Sequence, residues 1–263
     1  MATRDSNVES VSRALDLLSI LARHNDGGAR LSDLCVMTGL SQGTAHRLLR
    51  TLLNKSFVEQ DYSTRRYHLG NAFLALGATT VNKLNLQEVA EPTLRRLSGL
   101  TGDTVLLMIR NGLECLCISR IDGPYPIKAI TVSVGVQRPL GYGSGPLVLL
   151  AFSDDKNRAD LVRRVSRQAQ RYPFLEYSNI TRLIAETRAR GYAYLEGHIL
   201  RTMATLALPV IDFKGNLYAS VSLVTQVQRL AEPRRAEILA LMREAVAEIV
   251  DEISPWSGNG TLA

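Results

Sequence analysis

The sequence predicts an α+β chain of two domains: a small helical domain that ends in a β-hairpin, and a larger domain with a mostly antiparallel sheet flanked by helices. The length of 263 residues allows one to two domains. Helical periodicity dominates the first 54 residues, and two short β-rich runs follow. From Asp103 onward, β-rich runs alternate with helical patterns. The 46% hydrophobic and 21% charged residues are typical of a globular chain.

The first domain is predicted to contain three helices and a hairpin. Apolar residues between Val11 and Ala22 recur at helical spacing and form one face of a first helix. Gly39 ends the second helix, and Ser41 is a suitable N-cap for the third because its hydroxyl can accept an unpaired backbone N–H. The predicted elements are helices 9–24, 31–38 and 42–54 and strands 57–60 and 66–69.

The remainder of the chain is divided into a linker helix, the second domain and a tail. The boundaries are 1–69 for the first domain, 70–84 for the linker (helix 70–83), 85–253 for the second domain and 254–263 for a disordered tail. Pro92 lies inside one helical pattern, so that helix either starts near Glu91 or is kinked. The predicted helices are 86–100, 147–152, 155–168, 178–190 and 232–253, and the strands are 105–109, 114–120, 127–132, 191–196, 203–213 and 217–225.

The third predicted helix has two chemically distinct faces. One face carries the apolar residues Ala45, Leu48, Leu49 and Leu52, and the other carries Gln42, Gly43, His46, Arg47 and Arg50. A helix that reads the DNA major groove needs an apolar face toward its domain and a polar face free of carboxylates. Gln42 and Arg47 are suited to adenine and guanine edges. The residues suited to phosphates are Ser41, Thr44, Arg50, Arg65 and Arg66.

A simpler interpretation of the same pattern is a small helical subdomain with a solvated basic face, because helix-turn-helix-like patterns are common. Residues 1–69 contain nine Lys or Arg against seven Asp or Glu. The DNA-binding hypothesis therefore depends on where the charges lie and not on their total. The net charge of +6 is compatible with an anionic partner but does not demonstrate one.

Several motifs resemble the IclR family of bacterial transcription regulators, in the family's order and at its intervals. They are Val11-Ser12-Arg13-Ala14-Leu15-Asp16-Leu17-Leu18, Thr38-Gly39-Leu40-Ser41, His46-Arg47-Leu48-Leu49 and Tyr67-His68-Leu69-Gly70. The resemblance covers nearly the whole chain. It implies that the N-terminal domain is a winged helix-turn-helix that binds double-stranded operator DNA, with Ser12 and Arg13 among its contacts. It also implies a GAF-like second domain and a homodimer, or a dimer of dimers.

The resemblance further implies a small organic effector that changes operator affinity, in control of a catabolic operon for aromatic compounds or organic acids. It places the effector site at the loop Gly141, Gly143, Ser144 and Gly145, at Glu196 and Thr205, and at Ser222. Glycines let backbone N–H groups approach a ligand, and a loop that enters a helix favours an anion. For any single glycine, an ordinary strand-to-helix turn is the alternative. The family often has Gly-Lys, Gly and Ser where this chain has Pro146-Leu147, Thr202 and Val224.

Enzymatic and metal sites are not predicted. No nucleophile-elbow, zinc-protease or phosphate-loop motif is present, so we expect no catalytic residues and no cofactor. Cys115 and Cys117 share one strand face and, with Glu196 and His198, allow a metal site to be drawn, but buried reduced thiols are the simpler interpretation. An enzyme with an accessory helical domain and a constitutive repressor without effector are the two alternative functions.

The location is predicted from the same composition. The three cysteines form no disulfide framework, which favours a reducing compartment. The first seven residues have no apolar signal-peptide core. The longest apolar run, 147–152, is far shorter than the roughly 20 residues of a membrane helix. We therefore expect a cytoplasmic protein that does not bind membranes.

Overall fold

A computed structural model describes residues 8–24, 27–81, 86–127 and 132–253, with side chains described outside 78–81. The chain divides into two compact units, Met1–Leu84 and Asn85–Ala263. The predicted fold class, a two-domain α+β chain, is confirmed. The predicted tail 254–263 and the last residues of the predicted linker, 82–84, lie outside the described residues.

The first unit is a bundle of short helices around one small apolar core. Leu17, Leu21, Leu34 and Leu49 are fully buried and come from three different helices. This is the arrangement that the helical periodicity of the sequence predicts, because the buried positions recur at three- and four-residue spacing. The elements are α1 (Glu9–Arg23), α2 (Leu31–Thr38), α3 (Gln42–Asn54), β1 (Val58–Gln60), β2 (Tyr67–Leu69) and α4 (Ala72–Val81).

A β-hairpin closes the first unit on one side. Strands β1 and β2 pair antiparallel, with Glu59 opposite His68. On its other side, Tyr67 forms a bridge with Ala29, which precedes α2. The hairpin is thus tied to the connection between α1 and α2. Three helices followed by a tethered hairpin constitute a winged helix-turn-helix.

The second unit is built on one six-stranded sheet in which every neighbouring pair is antiparallel. The strand order is β5-β4-β3-β8-β7-β6, so β3 and β8 are central. The elements are α5 (Leu86–Thr101), β3 (Thr104–Asn111), β4 (Glu114–Ile121), β5 (Gln137–Pro139), α6 (Ser144–Ala151), α7 (Asp155–Ser166), α8 (Tyr177–Arg190), β6 (Ala193–Glu196), β7 (Met203–Ile211), β8 (Leu217–Gln226) and α9 (Arg234–Ile253).

Alternate residues of the central strands enter two different cores. Val221 and Leu223 of β8 face a core formed with α5 and α9. Ser222, between them, faces the opposite side, where α6, α7 and α8 pack. A strand that is buried on both faces must supply suitable side chains to both, and here the α6 side receives serines. The face of Ser222, which alternation alone leaves open, is therefore settled.

The structure corrects two predicted elements, confirms the start of a third and adds one strand. Helix α6 begins at Ser144 and not at residue 147, so Gly145 and Pro146 belong to its first turn, where proline is tolerated. Helix α5 runs continuously from Leu86 through Pro92, which confirms the predicted start at residue 86 and excludes the alternative start near Glu91. Within 127–132, Ile127 and Val132 are not in a strand and 128–131 are not described. The third strand of the sheet along the chain is instead β5, which has no apolar run to reveal it.

Candidate functional site

Helix α3 presents the exposed polar face that the sequence predicts. Ala45 and Leu49 are fully buried against the first unit's core. On the opposite side, the exposed residues are Gln42, Gly43, His46, Arg47 and Arg50. No carboxylate interrupts this face. Its chemistry therefore fits insertion into a groove lined by phosphates and base edges.

The start of α3 is fixed by its predicted cap. Ser41 has extended backbone geometry, and its Oγ accepts the backbone N–H of Thr44 at 3.4 Å. The two hydroxyls are also 2.9 Å apart, so Thr44 is held at the first turn. Gly39 precedes the cap with a φ of 70°, which ends α2 and reverses the chain. The turn between α2 and α3 is therefore locally encoded.

The tip of the hairpin is a rigid turn organised by one carboxylate. Oδ1 of Asp61 accepts the backbone N–H of Ser63 at 2.7 Å, the Ser63 hydroxyl at 2.6 Å and the backbone N–H of Thr64 at 3.2 Å. The hydrogen bonds from Ser63, followed by those from Thr64, lower the pKa of Asp61 to about 2. Asp61 is thus an ionised structural residue of the wing at neutral pH.

The two wing arginines have different surroundings. Arg65 is exposed and has a φ of 59°, while its carbonyl accepts a hydrogen bond from Gln60. Arg66 is half-buried, and its guanidinium donates to the carbonyl of Gly28 at 2.9 Å and to that of Gly27 at 3.3 Å. Arg65 therefore projects a cation at the wing, whereas Arg66 also anchors the hairpin to the segment before α2.

Ser12 and Arg13 lie on α1. Ser12 is exposed and Arg13 is half-buried. The guanidinium of Arg13 forms an ion pair with Glu9, one turn earlier. This pair partly neutralises Arg13, so its cation is less available than that of Arg47, for which the structure shows no acidic partner among the described residues.

A cavity of about 570 Å³, including its open mouth, lies in the second unit between α6 and the sheet. Its apolar wall includes Leu106, Met108, Leu195 and Val224. Five of the seven predicted effector residues line it: Gly143, Ser144, Gly145, Thr205 and Ser222. The structure therefore brings most of the predicted effector residues together around one cavity.

The N-terminus of α6 opens onto this cavity. Gly143, with a φ of 111°, is the N-cap, and the first intrahelical bond runs from Leu147 N–H to its carbonyl at 2.9 Å. The N–H groups of Ser144 and Gly145 precede that bond and have no partner within the helix. Pro146 has no N–H to offer. The cavity thus meets the positive end of a helix dipole at two peptide N–H groups.

Two serine hydroxyls beneath this turn are buried without a partner. Ser220 and Ser222, on β8, are 0% and 2% exposed, and neither Oγ has a hydrogen bond within the described part of the chain. A Cβ added to Gly145 would lie 2.5 Å from the Oγ of Ser222 and 3.1 Å from that of Ser220. Glycine at 145 therefore leaves room beside both hydroxyls, and that of Ser222, which lines the cavity, can pair with a ligand.

The predicted residues Gly141 and Glu196 do not line the cavity. Gly141 is buried beneath Ile180, Leu175 and Leu150, in the core behind the loop. Glu196 is exposed at the end of β6 and accepts a hydrogen bond from the hydroxyl of Tyr194 at 2.6 Å. Its neighbour Leu195 lines the cavity instead, because successive strand residues point to opposite faces.

The sequence prediction missed several cavity residues. Arg138 on β5 supplies a cation, and Tyr142 lies beneath its guanidinium at 5.8 Å. The loop between β6 and β7 supplies His198, Ile199 and Leu200. A sequence signal that could have found this loop is Gly197, which begins it and has a φ of 70° in the structure.

The three cysteines are free thiols. Burial raises the pKa of Cys115 to about 12 and that of Cys117 to about 11, so both remain protonated at neutral pH. Cys35 is half-buried on α2. Among the described residues, no group of three or more His, Cys, Asp or Glu could hold a metal ion. No helix in the same part of the chain is long and apolar enough to cross a membrane.

Comparison with known families covers both units. Residues 10–62 match the IclR helix-turn-helix domain, and residues 78–251 match the C-terminal domain of the bacterial transcriptional regulator IclR. The chain belongs to the IclR family. Members of this family are transcriptional regulators and not enzymes, so this IclR-type chain is a regulator with a DNA-binding helix-turn-helix domain.

Curated relatives span almost the same length. The regulator BhcR of Paracoccus denitrificans is 27% identical over 96% of this chain and 88% of its own. The glycerol operon regulatory protein of Streptomyces coelicolor is 29% identical over 92% and 95%. The repressor IclR of Escherichia coli is 24% identical over 94% and 91%. This IclR-family chain is therefore similar to whole regulators and not to a fragment of them.

Solved structures of the family have the same fold. An IclR regulator from Alicyclobacillus acidocaldarius superposes with a TM-score of 0.75 at 25% identity, covering 93% of this chain and 98% of that one. An IclR homologue from Microbacterium hydrocarbonoxydans, solved in complex with 4-hydroxybenzoate, gives 0.77 at 21% identity, covering 94% and 99%. The second likeness shows the fold alone.

Proposed function

We propose that this IclR-family regulator binds operator DNA through α3 and the wing, and that a small organic acid in the cavity of its second domain changes that affinity. Gln42, His46 and Arg47 read base edges, while Ser41, Thr44 and Arg50 contact phosphates. The wing contributes Arg65, and Ser12 and Arg13 add contacts from α1. The observation that supports this proposal is the exposed, carboxylate-free face of α3.

The effector class follows from the cavity's own chemistry. A carboxylate has two oxygens, and the start of α6 offers two peptide N–H groups, from Ser144 and Gly145, at a positive helix end. Arg138 adds a cation to the lining, and the unpaired hydroxyl of Ser222 offers a further hydrogen bond. The apolar wall accommodates a hydrocarbon body. A small aromatic or aliphatic carboxylic acid satisfies all four features.

A homodimer on a two-fold operator is part of the proposal. Helix α1 exposes Val11 and Leu15 to 54% and 57%, and α4 exposes Leu74 to 73%. Apolar residues that recur on exposed helical faces favour burial against a second copy. Two-fold protein symmetry then predicts an operator with inverted half-sites. We further propose that the protein functions in the cytoplasm and regulates genes for catabolism of aromatic compounds or organic acids.

The effector proposal is tested by thermal unfolding with paired ligands. Benzoate, 4-hydroxybenzoate, pyruvate and glyoxylate are each compared with the corresponding amide or neutral alcohol. A ligand at 100 times its Kd stabilises the folded protein by about 2.7 kcal/mol. We expect at least one acid to raise the melting temperature with its concentration, and its neutral counterpart to fail. If neutral compounds stabilise equally, the anion site at α6 is wrong.

The DNA proposal is tested by a mobility shift on the DNA upstream of the protein's own gene, with and without the acid that stabilises it. Specific binding that changes with the acid supports both halves of the proposal. Specific DNA binding that no stabilising acid changes would indicate a constitutive DNA-binding protein.

A further inference from the structure

The mouth of the cavity lies where its lining residues are exposed to solvent. The floor residues Ser144, Gly145 and Ser222 are buried, whereas His198 and Leu200 are exposed. Both exposed residues belong to the loop 197–202, which joins β6 to β7. We call this segment the rim loop. Because the lining opens to water at this loop, a ligand passes it on entering or leaving.

The rim loop is closed at its base by two backbone hydrogen bonds. The N–H of Gly197 donates to the carbonyl of Met203, and the N–H of Met203 donates to the carbonyl of Leu200, both at 2.9 Å. Gly197 has a φ of 70°, a conformation that suits glycine. Ile199, within the loop, contacts the other side of the mouth, since a Cβ on Gly143 would lie 3.2 Å from its Cδ1.

His198, at the mouth, is held by an aromatic contact with a residue outside the loop. Its ring meets that of Phe174 edge to face, with centroids 4.7 Å apart and planes at 82°. Phe174 also contacts Tyr142, another lining residue, at 6.3 Å. Edge-to-face aromatic pairs of this kind stabilise the contact beyond the contribution of their buried area.

Phe174 is itself firmly placed. It lies in a single 3₁₀ turn, Pro173–Leu175, whose last residue is fully buried. The carbonyl of Phe174 accepts a hydrogen bond from the side chain of Asn179, at the start of α8, at 2.8 Å. One partner of the His198–Phe174 contact is thus anchored in the core, while the other lies on a surface loop. When the contact breaks, the loop moves more readily than Phe174.

We propose that the rim loop is a gate, that His198 is its shutter, and that Phe174 is the positioning residue that holds it closed. The gate limits how fast molecules enter and leave the cavity. Because Phe174 does not line the cavity, loosening its contact with His198 speeds entry and exit by the same factor and leaves Kd unchanged. That this exchange is effector exchange rests on the proposed function, whereas the gate itself does not.

The test measures access to the cavity without any effector. A reporter thiol is introduced by Val224→Cys, at a residue that lines the cavity, in a Cys35→Ser background. The native Cys115 and Cys117 are each 1% exposed, and burial raises the pKa of both, so they remain unreactive. The rate of labelling by methyl methanethiosulfonate, a small neutral reagent, then reports how often the gate opens.

Three variants are compared in this background. Phe174→Leu removes the aromatic ring, His198→Ala removes the shutter, and Phe174→Tyr retains an aromatic ring. The matched control is Phe213→Leu, because Phe213 is an exposed phenylalanine elsewhere in the same unit. We expect Phe174→Leu to accelerate labelling between about 2-fold and about 10-fold, the range set by one aromatic pair. His198→Ala accelerates it at least as much, and Phe174→Tyr and Phe213→Leu match the parent.

Two results overturn the proposal. A parent thiol that reacts as fast as in the urea-unfolded chain means that the mouth is open without a gate. Acceleration by His198→Ala alone removes the positioning role of Phe174. If Phe174→Leu does not fold, His198→Ala, a change at an exposed residue, still decides whether a shutter exists. Failure of every organic acid to bind would reject the proposed effector and leave these labelling rates unaffected.

Discussion

The contact between Gly145 and Ser222 leads to a prediction in which one substitution weakens the fold and a second compensates it. Gly145→Ala places a Cβ 2.5 Å from the Ser222 Oγ and 3.0 Å from the Met108 sulfur. The methionine can move, but the serine lies on a central strand and α6 is buried along its whole length. Overpacking of this kind costs about 1–3 kcal/mol, so we expect Gly145→Ala to lower the melting temperature.

Ser222→Ala has the opposite expected sign. The hydroxyl is 2% exposed and unpaired among the described residues, and a buried unpaired hydroxyl costs about 1–3 kcal/mol. Its removal should stabilise the ligand-free protein by about 1 kcal/mol, or about 2–4 °C for a domain of this size. In the double variant the closest contact is gone, so Gly145→Ala should cost about 1 kcal/mol less than it does alone.

Calorimetric melting of the four proteins without ligand measures this cycle, and the same four are then melted with a stabilising acid. Ser222→Ala should gain stability but lose part of the ligand-induced shift. The reasoning is refuted if Ser222→Ala lowers the melting temperature, or if the two substitutions are additive. Thr225→Ser, on the same strand but outside the cavity lining, is the control for a general effect of altering β8.

Three further predictions concern the first unit. Arg47→Ala should weaken specific operator binding by about 1–3 kcal/mol. Arg65→Ala should weaken binding to all sequences and reduce the slope of log affinity against log salt concentration by about one. Lys55→Ala, at the exposed end of α3, is the control, and equal effects of the Arg47 and Arg65 substitutions would contradict the assignment. Hydrogen bonds lower the pKa of Asp61 from 3.8 to about 2. Their stabilisation of the wing turn is therefore present above about pH 4 and is lost as the pH falls through 2. A titration of the Asp61 carboxyl by NMR with a midpoint near 4 would contradict this prediction. Leu76→Pro should break α4 and abolish the effect of the stabilising acid on DNA binding, and an unchanged effect in the mobility shift would remove α4 from the coupling.

The first unit was largely predictable because its signals are local. Ser41, Gly39 and the four-residue spacing of Ala45 and Leu49 determine where α3 starts and which face it buries. None of these features depends on a distant partner. The exposed position of Gln42 and Arg47 follows from that periodicity once the helix is placed. Arg66 is the exception, because its bonds to Gly27 and Gly28 join segments 38 and 39 residues apart.

The cavity was predictable only where the backbone itself makes the site. Gly143, Ser144 and Gly145 of the predicted loop line the cavity together with Ser222, whereas Gly141 does not. Glu196 does not line it either, because strand alternation turns it away from the side that Leu195 lines. Arg138 lies on a three-residue edge strand with no apolar pattern, and only its pairing with β4 reveals it. Residues placed by long-range pairing leave no periodic signal in a single sequence.

The positive φ of Arg65 lowers the stability of the wing, while the side chain supplies a positive charge. A φ of 59° suits glycine or asparagine, and an arginine held there costs roughly 1 kcal/mol. A redesign that optimised the isolated domain for heat resistance would replace this residue first. Such a redesign would yield a more stable domain with a less cationic tip, and we expect it to weaken the DNA contact that we propose for the wing.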